Sequence, residues 1–195
     1  MVGKTFAWLL KRTKNALLNT LSMRTMPETG SSFSLGDRYQ PVMARIQALL
    51  SEPCDWTAAM ATVACELHHA FDHFHWTGFY RTVRPGHLQI GPYQGTHGCL
   101  DIPFERGVCG AAARSKQTQL VPDVNRFPGH IACSSTTRSE IVVPVLNSDG
   151  HVIAVLDVDS NDVDAFDEED RISLEWLCDL LGTRWGSEAW DALST

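Results

Sequence analysis

The sequence predicts an α+β fold in which a central antiparallel β-sheet is flanked by helices. Three observations carry this. Helix-periodic segments sit at both ends of the chain, and strand-like segments follow one another between them. The strands are joined by tight-turn signals rather than by the long crossovers of a parallel sheet. The length of 195 residues suits one domain with an appendage.

The first helix is predicted from the stripe Tyr39, Val42, Met43, Ile46, Leu49 and Leu50. A second follows Asp55, an N-cap after Pro53, with Trp56, Met60, Val63 and Leu67 facing inward. HWTGFYRTV (75–83) reads as a strand, Arg84-Pro85-Gly86 as a hairpin turn, and HLQIGPYQG (87–95) as its partner. After CLDIPFERG comes a short Gly- and Ala-rich helix, VCGAAARSK, then a short strand, TQLVPDV. IVVPVL and HVIAVLDVDS form two further strands joined at Asn147-Ser148-Asp149-Gly150. FDEEDRISLEWLCDLL is the last helix. Asp167 is its N-cap, Asp170 completes a capping box, and Ile172, Leu174, Trp176, Leu177, Leu180 and Cys178 form its buried face. The domain is expected over 37–188, after an extension and linker (1–36) and before a tail (189–195).

Charge is unevenly distributed. Residues 1–25 hold five basic side chains and no acid, which leaves 11 basic and 23 acidic residues on the remainder. A body with a net charge of −12 should repel nucleic acid and anionic membranes. No apolar run approaches the roughly 18 residues of a membrane span. The basic segment, with Phe6, Leu9, Leu10, Leu17 and Leu21 near helical spacing, resembles an amphipathic helix or a transit peptide. An unstructured tail, or sequence upstream of a true start at Met26, is the favoured alternative. A chain this long does not need a disulfide framework, so the six cysteines are expected as thiols of a reducing compartment, the cytoplasm.

Side chains alternate across a sheet, so Val155, Asp157 and Asp159 share one face, and Glu140 begins the neighbouring strand. Three converging acids suggest a bound cation: a substrate ammonium, a metal or an arginine. A solvated sheet edge has equal weight. Trp76, Gly78 and Tyr80 likewise share a face. They form either an aromatic box for an alkyl chain, sulfur or ammonium, or ordinary core packing.

Cys99, Cys109 and Cys133 lie in Gly-rich irregular segments. A helix N-terminus and the neighbouring Arg106 should lower the Cys109 pKa. Metal ligation by His97, Cys99, Cys109, His130 and Cys133 is the weaker reading, because no tight C-x₂₋₄-C pair exists. Thiol redox chemistry, with a nucleophile and resolving cysteines on mobile loops, is the stronger.

From about Arg38 to Trp185 the chain resembles the free methionine-(R)-sulfoxide reductases, a family of GAF-domain enzymes. The resemblance rests on WTGFY, GPYQGTHGCLDIPFERGVCG, TQLVPDV, FPGHIACSSTTRSEIVVPV, VLDVDS and FDEED, in that order. It implies a single GAF domain. Cys133 is the nucleophile, Cys99 resolves it as a Cys99–Cys133 disulfide, and Cys109 is a second recycling thiol or relay. Glu140, Asp157 and Asp159 match the acids lining the family's pocket, and Trp76 and Tyr80 its aromatic wall. Ser134 stands where some members carry an acid. The implied partners are free methionine-(R)-sulfoxide and a dithiol reductant such as thioredoxin, with no metal or organic cofactor. A homodimer is plausible, and the implied role is protection against oxidative damage. Backbone N–H groups over 130–133 could cradle the substrate carboxylate. The rival reading is a non-catalytic GAF module that senses a ligand or redox state; the expectation that no catalytic output domain is attached disfavours it.

Overall fold

A computed structural model describes residues 36–131 and 133–193. The expectations made for the basic N-terminal segment fall outside the described residues. The elements run α1 (Gln40–Leu49), α2 (Trp56–Ala70), β1 (Trp76–Arg84), β2 (His87–Gln94), β3 (Asp101–Pro103), α3 (Gly107–Ser115), β4 (Gln119–Val121), a 3₁₀ turn (Val124–Arg126), β5 (Ser139–Leu146), β6 (Val152–Ser160) and α4 (Glu168–Asp191). The sheet has six strands in the order β3-β2-β1-β6-β5-β4. Every neighbouring pair is antiparallel.

The sheet separates two cores. On one face α1, α2 and α4 bury Met43, Ile46, Met60, Leu67, Leu174 and Leu177 against Phe79, Ile141, Leu156 and Val158. On the other, the short α3 and the surrounding loops cover Trp76, Tyr80, Val142 and Val155. Alternation along β1, β5 and β6 feeds both cores from the same strands.

Local chemistry fixes the element ends. The Asp55 side chain accepts from Ala58 N and caps α2. Asp167 and Asp170 form the reciprocal capping box at the start of α4. Asp170 is fully buried, because its Oδ1 also accepts from Tyr39 Oη at 2.7 Å. That bond ties α1 to α4. The β1–β2 hairpin turns at Gly86, whose φ of 76° lies in the left-handed region that glycine tolerates.

Several boundaries differ from those the sequence predicts. Leu49 is 52% exposed, so the α1 stripe ends at Ile46 with Leu50 closing the helix beneath it. Ile172, Trp176 and Leu180 are only half-buried; the inward face of α4 is Leu174, Leu177, Cys178 and Leu181. That helix continues to Asp191 and buries Trp185 and Ala189, so the expected tail begins inside the helix, over 189–191. β3 had no strand signature. It forms because three residues of CLDIPFERG pair with the edge of β2. The strand expected over TQLVPDV keeps only Gln119–Val121. Pro122 has no N–H to extend the ladder, and Asp123 caps the 3₁₀ turn instead.

Candidate active site

The sheet face under α3 carries the polar residues. In the β5–β6 register Glu140 opposes Asp159, and Val142 opposes Asp157. The two pairs therefore stand on the same face, and the three acids converge as their alternation predicts. Glu140 and Asp157 are each 5% exposed, and Asp159 is half-buried. They do not emerge at a solvated edge, because β6 lies between β1 and β5 in the sheet interior.

Burial and mutual repulsion govern these groups. The Asp157 carboxyl is pushed up to about 6 by burial, against bonds from Cys109 and Glu140 that favour its charged form. Glu140 is pushed well above the carboxylate range, first by burial and then by the negative charges of Asp157 and Asp159. Asp159 moves the same way for the same reasons, opposed by a hydrogen bond with Thr137. Burial and like-charge repulsion thus push all three carboxyls toward their protonated forms.

Cys109 sits over the acids. Its Sγ donates to Asp157 Oδ2 at 3.3 Å and lies 3.8 Å from Glu140 Oε1. The sequence predicts a lowered thiol pKa here, and the structure reverses it. Burial and the facing carboxylates raise the thiol well above its usual value, while Arg106 lies exposed. A helix N-terminus is a weak, local influence, whereas full desolvation beside two acids is large.

The other two loop cysteines meet. Cys99 and Cys133 form a disulfide with their Cα atoms 5.2 Å apart. Cys99 is held by the segment after β2, where Gly98 lets the chain lie against the aromatic wall. A Cβ on Gly98 would stand 2.7 Å from Tyr80 Oη and 3.2 Å from the Trp76 ring. Cys133 is held by a loop whose Gly129 carbonyl accepts from Gly107 N at 3.0 Å. With Cys99 and Cys133 joined, the five-residue metal set considered from sequence is not assembled. Among the described residues the cluster spaced to hold a metal is Cys109, Glu140 and Asp157.

Trp76 and Tyr80 form one wall, their rings stacked at 5.7 Å and 23°. Trp76 also stacks on Tyr93 at 5.4 Å and 15°, and its Nε1 donates to Thr96 O. The gap left by Gly78 is therefore not an open box. A Cβ there would overlap Tyr93 Cβ and stand 2.7 Å from the Trp76 ring, so the glycine admits the stack itself.

Together these groups line one recess of about 490 Å³ counted out to its mouth. It has room for a few water molecules. All eight sequence-predicted site residues reach it: Cys109, Cys133, Trp76, Tyr80, Glu140, Asp157 and Asp159 line it directly, and Cys99 enters through its bond to Cys133. His97 and His130 also line it, the latter with its imidazole pKa lowered by burial. Thr137, which steadies Asp159, was not foreseen; nothing in a Ser/Thr-rich loop distinguishes one hydroxyl from its neighbours. Gly98 was signalled only by its place before Cys99. The carboxylate cradle expected over 130–133 includes residue 132, which lies outside the described residues.

Comparison with known proteins agrees with this geometry. The GAF domain model matches residues 34–185. The free methionine-R-sulfoxide reductase of Saccharomyces cerevisiae is 38% identical over 148 residues, 73% of this chain and 82% of that one. The protein of the same name from Escherichia coli is 36% identical over 139 residues, 71% of this chain and 83% of its own length. The X-ray structure of the Neisseria meningitidis free methionine-R-sulfoxide reductase in complex with its substrate superposes with a TM-score of 0.71 at 41% identity, covering 85% of this chain and 97% of that one. A sulfur pair bridging an acid-floored recess, on a GAF fold with relatives of that identity and coverage, places this chain in the free methionine-R-sulfoxide reductase family of GAF-domain proteins.

Proposed function

We propose that the protein reduces free methionine-(R)-sulfoxide to methionine, using Cys133 as nucleophile and Cys99 as the resolving thiol. The observation that carries this reading is the Cys99–Cys133 bridge across a recess floored by Glu140, Asp157 and Asp159. The substrate is a small zwitterion with a polar S=O bond. The carboxyls of Asp157 and Asp159 suit its ammonium, and the Trp76–Tyr80 wall suits its thioether chain. Glu140, whose carboxyl is raised well above its ordinary value by burial and the neighbouring acids, can donate a proton to the sulfoxide oxygen.

Protonation makes the sulfur electrophilic, and the Cys133 thiolate attacks. A Cys133–substrate S–S bond forms while the S–O bond breaks and the protonated oxygen leaves as water. Water then attacks Cys133 Sγ, the S–S bond breaks with its electron pair going to the substrate sulfur, methionine leaves and Cys133 carries the sulfenic acid. Cys99 then displaces water from that sulfenic acid, which gives the disulfide. A dithiol reductant such as thioredoxin returns both sulfurs to thiols. Cys109 has a raised pKa and a bond to Asp157, so it serves the pocket as the hydrogen-bond partner of that acid and as a recycling thiol, not as the first nucleophile. Cys133 cannot attack while it is bonded to Cys99, so reduction of the bridge precedes each turnover. We place this cycle in the cytoplasm, where dithiol reductants are maintained.

The test is turnover of separated R and S epimers of free methionine sulfoxide with a thioredoxin system, followed by mass mapping of the disulfide. The R epimer alone should be reduced, two thiols should be lost per chain, and Cys133→Ser should be inactive. Comparable turnover of an N-acetylated or peptide-linked sulfoxide, which lacks the ammonium, overturns the pocket assignment. Full activity of Cys133→Ser with a dead Cys109→Ser overturns the choice of nucleophile.

A further inference from the structure

The floor of the recess holds a donor set that also suits a metal ion. One ligand atom from each of Cys109, Glu140 and Asp157 lies within 4.8 Å of the others, and all three residues are buried. Cys109 Sγ stands 3.3 Å from an Asp157 oxygen and 3.8 Å from a Glu140 oxygen. A tetrahedral zinc ion, with a thiolate at about 2.3 Å and carboxylate oxygens at about 2.1 Å, has ligand-to-ligand edges of roughly 3.4–3.6 Å. The three atoms are already near the spacing of one face of such a site.

A second observation points to a ligand independently. Asp157 Oδ1 is buried and has no hydrogen-bond partner, on a side chain only 5% exposed that lines the recess. A buried acceptor left without a donor is costly, and a cation would satisfy it. The recess also has room for an ion with its completing water.

The geometry points to a binding site for a thiophilic divalent cation, with zinc as its representative, on Cys109, Glu140 and Asp157 beneath the closed Cys99–Cys133 bridge. The thiolate selects against magnesium and calcium, which prefer six or more oxygen ligands. Binding releases the Cys109 thiol proton, and any proton held by the Glu140 and Asp157 carboxyls, to solvent and moves no electrons. One thiolate and two carboxylates with a vacant fourth position make a site that water completes. The cation would occupy the acids that the proposed function assigns to the substrate ammonium, so it acts as an inhibitor that competes with the sulfoxide. That consequence rests on the reductase reading; the binding itself does not.

The test uses the full chain with its Cys99–Cys133 bridge intact and Co²⁺ as a spectroscopic probe. One cobalt per chain is expected, with a thiolate-to-cobalt charge-transfer band and the intense visible bands of tetrahedral coordination, and Zn²⁺ should displace it. Cys109→Ser should abolish the charge-transfer band, and Asp157→Asn should weaken binding at least tenfold. Cys65→Ser should change nothing; it removes the sulfur that lies 3.8 Å from His69 Nδ1, the competing thiol–imidazole pair. No charge-transfer band, a band that survives in Cys109→Ser, or a band lost in Cys65→Ser each overturns the site. In thioredoxin-coupled turnover zinc should raise the apparent KM for free methionine-(R)-sulfoxide and leave kcat unchanged; an unaltered KM overturns the competition. A chain that binds cobalt through Cys109 but reduces no sulfoxide overturns the reductase reading and leaves the cation site standing.

Discussion

Asp157→Asn should stabilise the protein at neutral pH while impairing it. Asp157 is 5% exposed, and on the same sheet face lie Glu140 and Asp159. Burial pushes its carboxyl from an ordinary 3.8 up to about 6. A folded-state pKa above the unfolded one gives stability that is complete below the unfolded value and lost as pH rises through the folded value. The loss for a carboxyl moved this far totals about 3 kcal/mol, of which about 2 kcal/mol falls between pH 4.5 and 7.5. Asparagine cannot ionise and escapes that loss. It also relieves Glu140, whose raised pKa owes part of its displacement to the Asp157 charge. The assay is urea unfolding of wild type and variant at several pH values. The variant's stability relative to wild type should rise by about 2 kcal/mol or more from pH 4.5 to 7.5. Any fixed offset from repacking the amide drops out of that difference. Over the same range kcat/KM should fall about 10- to 100-fold, the worth of one hydrogen bond to a charged group. A relative stability that is flat with pH, or that falls as pH rises, would refute the electrostatic account of the cluster.

Other perturbations probe the sulfur pair and the frame. Cys99→Ser should complete one turnover and stop, leaving a sulfenic acid on Cys133 that dimedone traps and mass spectrometry locates; continued thioredoxin-coupled cycling at the wild-type rate contradicts the resolving role. Gly98→Ala puts a methyl 2.7 Å from Tyr80 Oη, so the Cys99 loop must shift. Disulfide formation, followed by rapid-quench thiol counting, should slow at least tenfold while the first reduction step is preserved. Tyr39→Phe removes the donor at 2.7 Å to the fully buried Asp170 and should cost about 1–3 kcal/mol in urea unfolding, with little effect on KM.

How much of this was legible in the sequence depends on the range of the physics involved. Asp167 and Asp170 announced their capping box because the motif is closed within four residues. The convergence of Glu140, Asp157 and Asp159 followed from strand alternation plus one tight turn, which together fix the β5–β6 register. The Cys109 environment did not follow. Its local cues, a helix start and an arginine, point to an activated thiol, yet its pKa is set by acids 31 and 48 residues away. β3 is a strand only because β2 offers it an edge, and no periodicity can be read from three residues. The Gly78 gap likewise needed Tyr93, on the paired strand, before it could be understood as room for a ring.

The two faces of the sheet divide stability from chemistry, and the acids themselves help to keep that division. Along β6, Leu156 and Val158 point into the helix-covered core, while Val155, Asp157 and Asp159 point under α3. A slip of one residue in the β5–β6 register would exchange the sets. It would drive the carboxylates among Met60, Leu67 and Leu177, where no donor waits and each charge would cost several kcal/mol. In the native register Cys109, Glu140 and Thr137 meet Asp157 and Asp159, so the same acids cost less. The face under α3 can carry this residual cost because the larger core lies on the other side, where α1, α2 and α4 bury a continuous set of large apolar side chains. The acids thus act against the wrong register as well as for the reaction, and their penalty in the correct fold is the quantity that the pH series on Asp157→Asn measures.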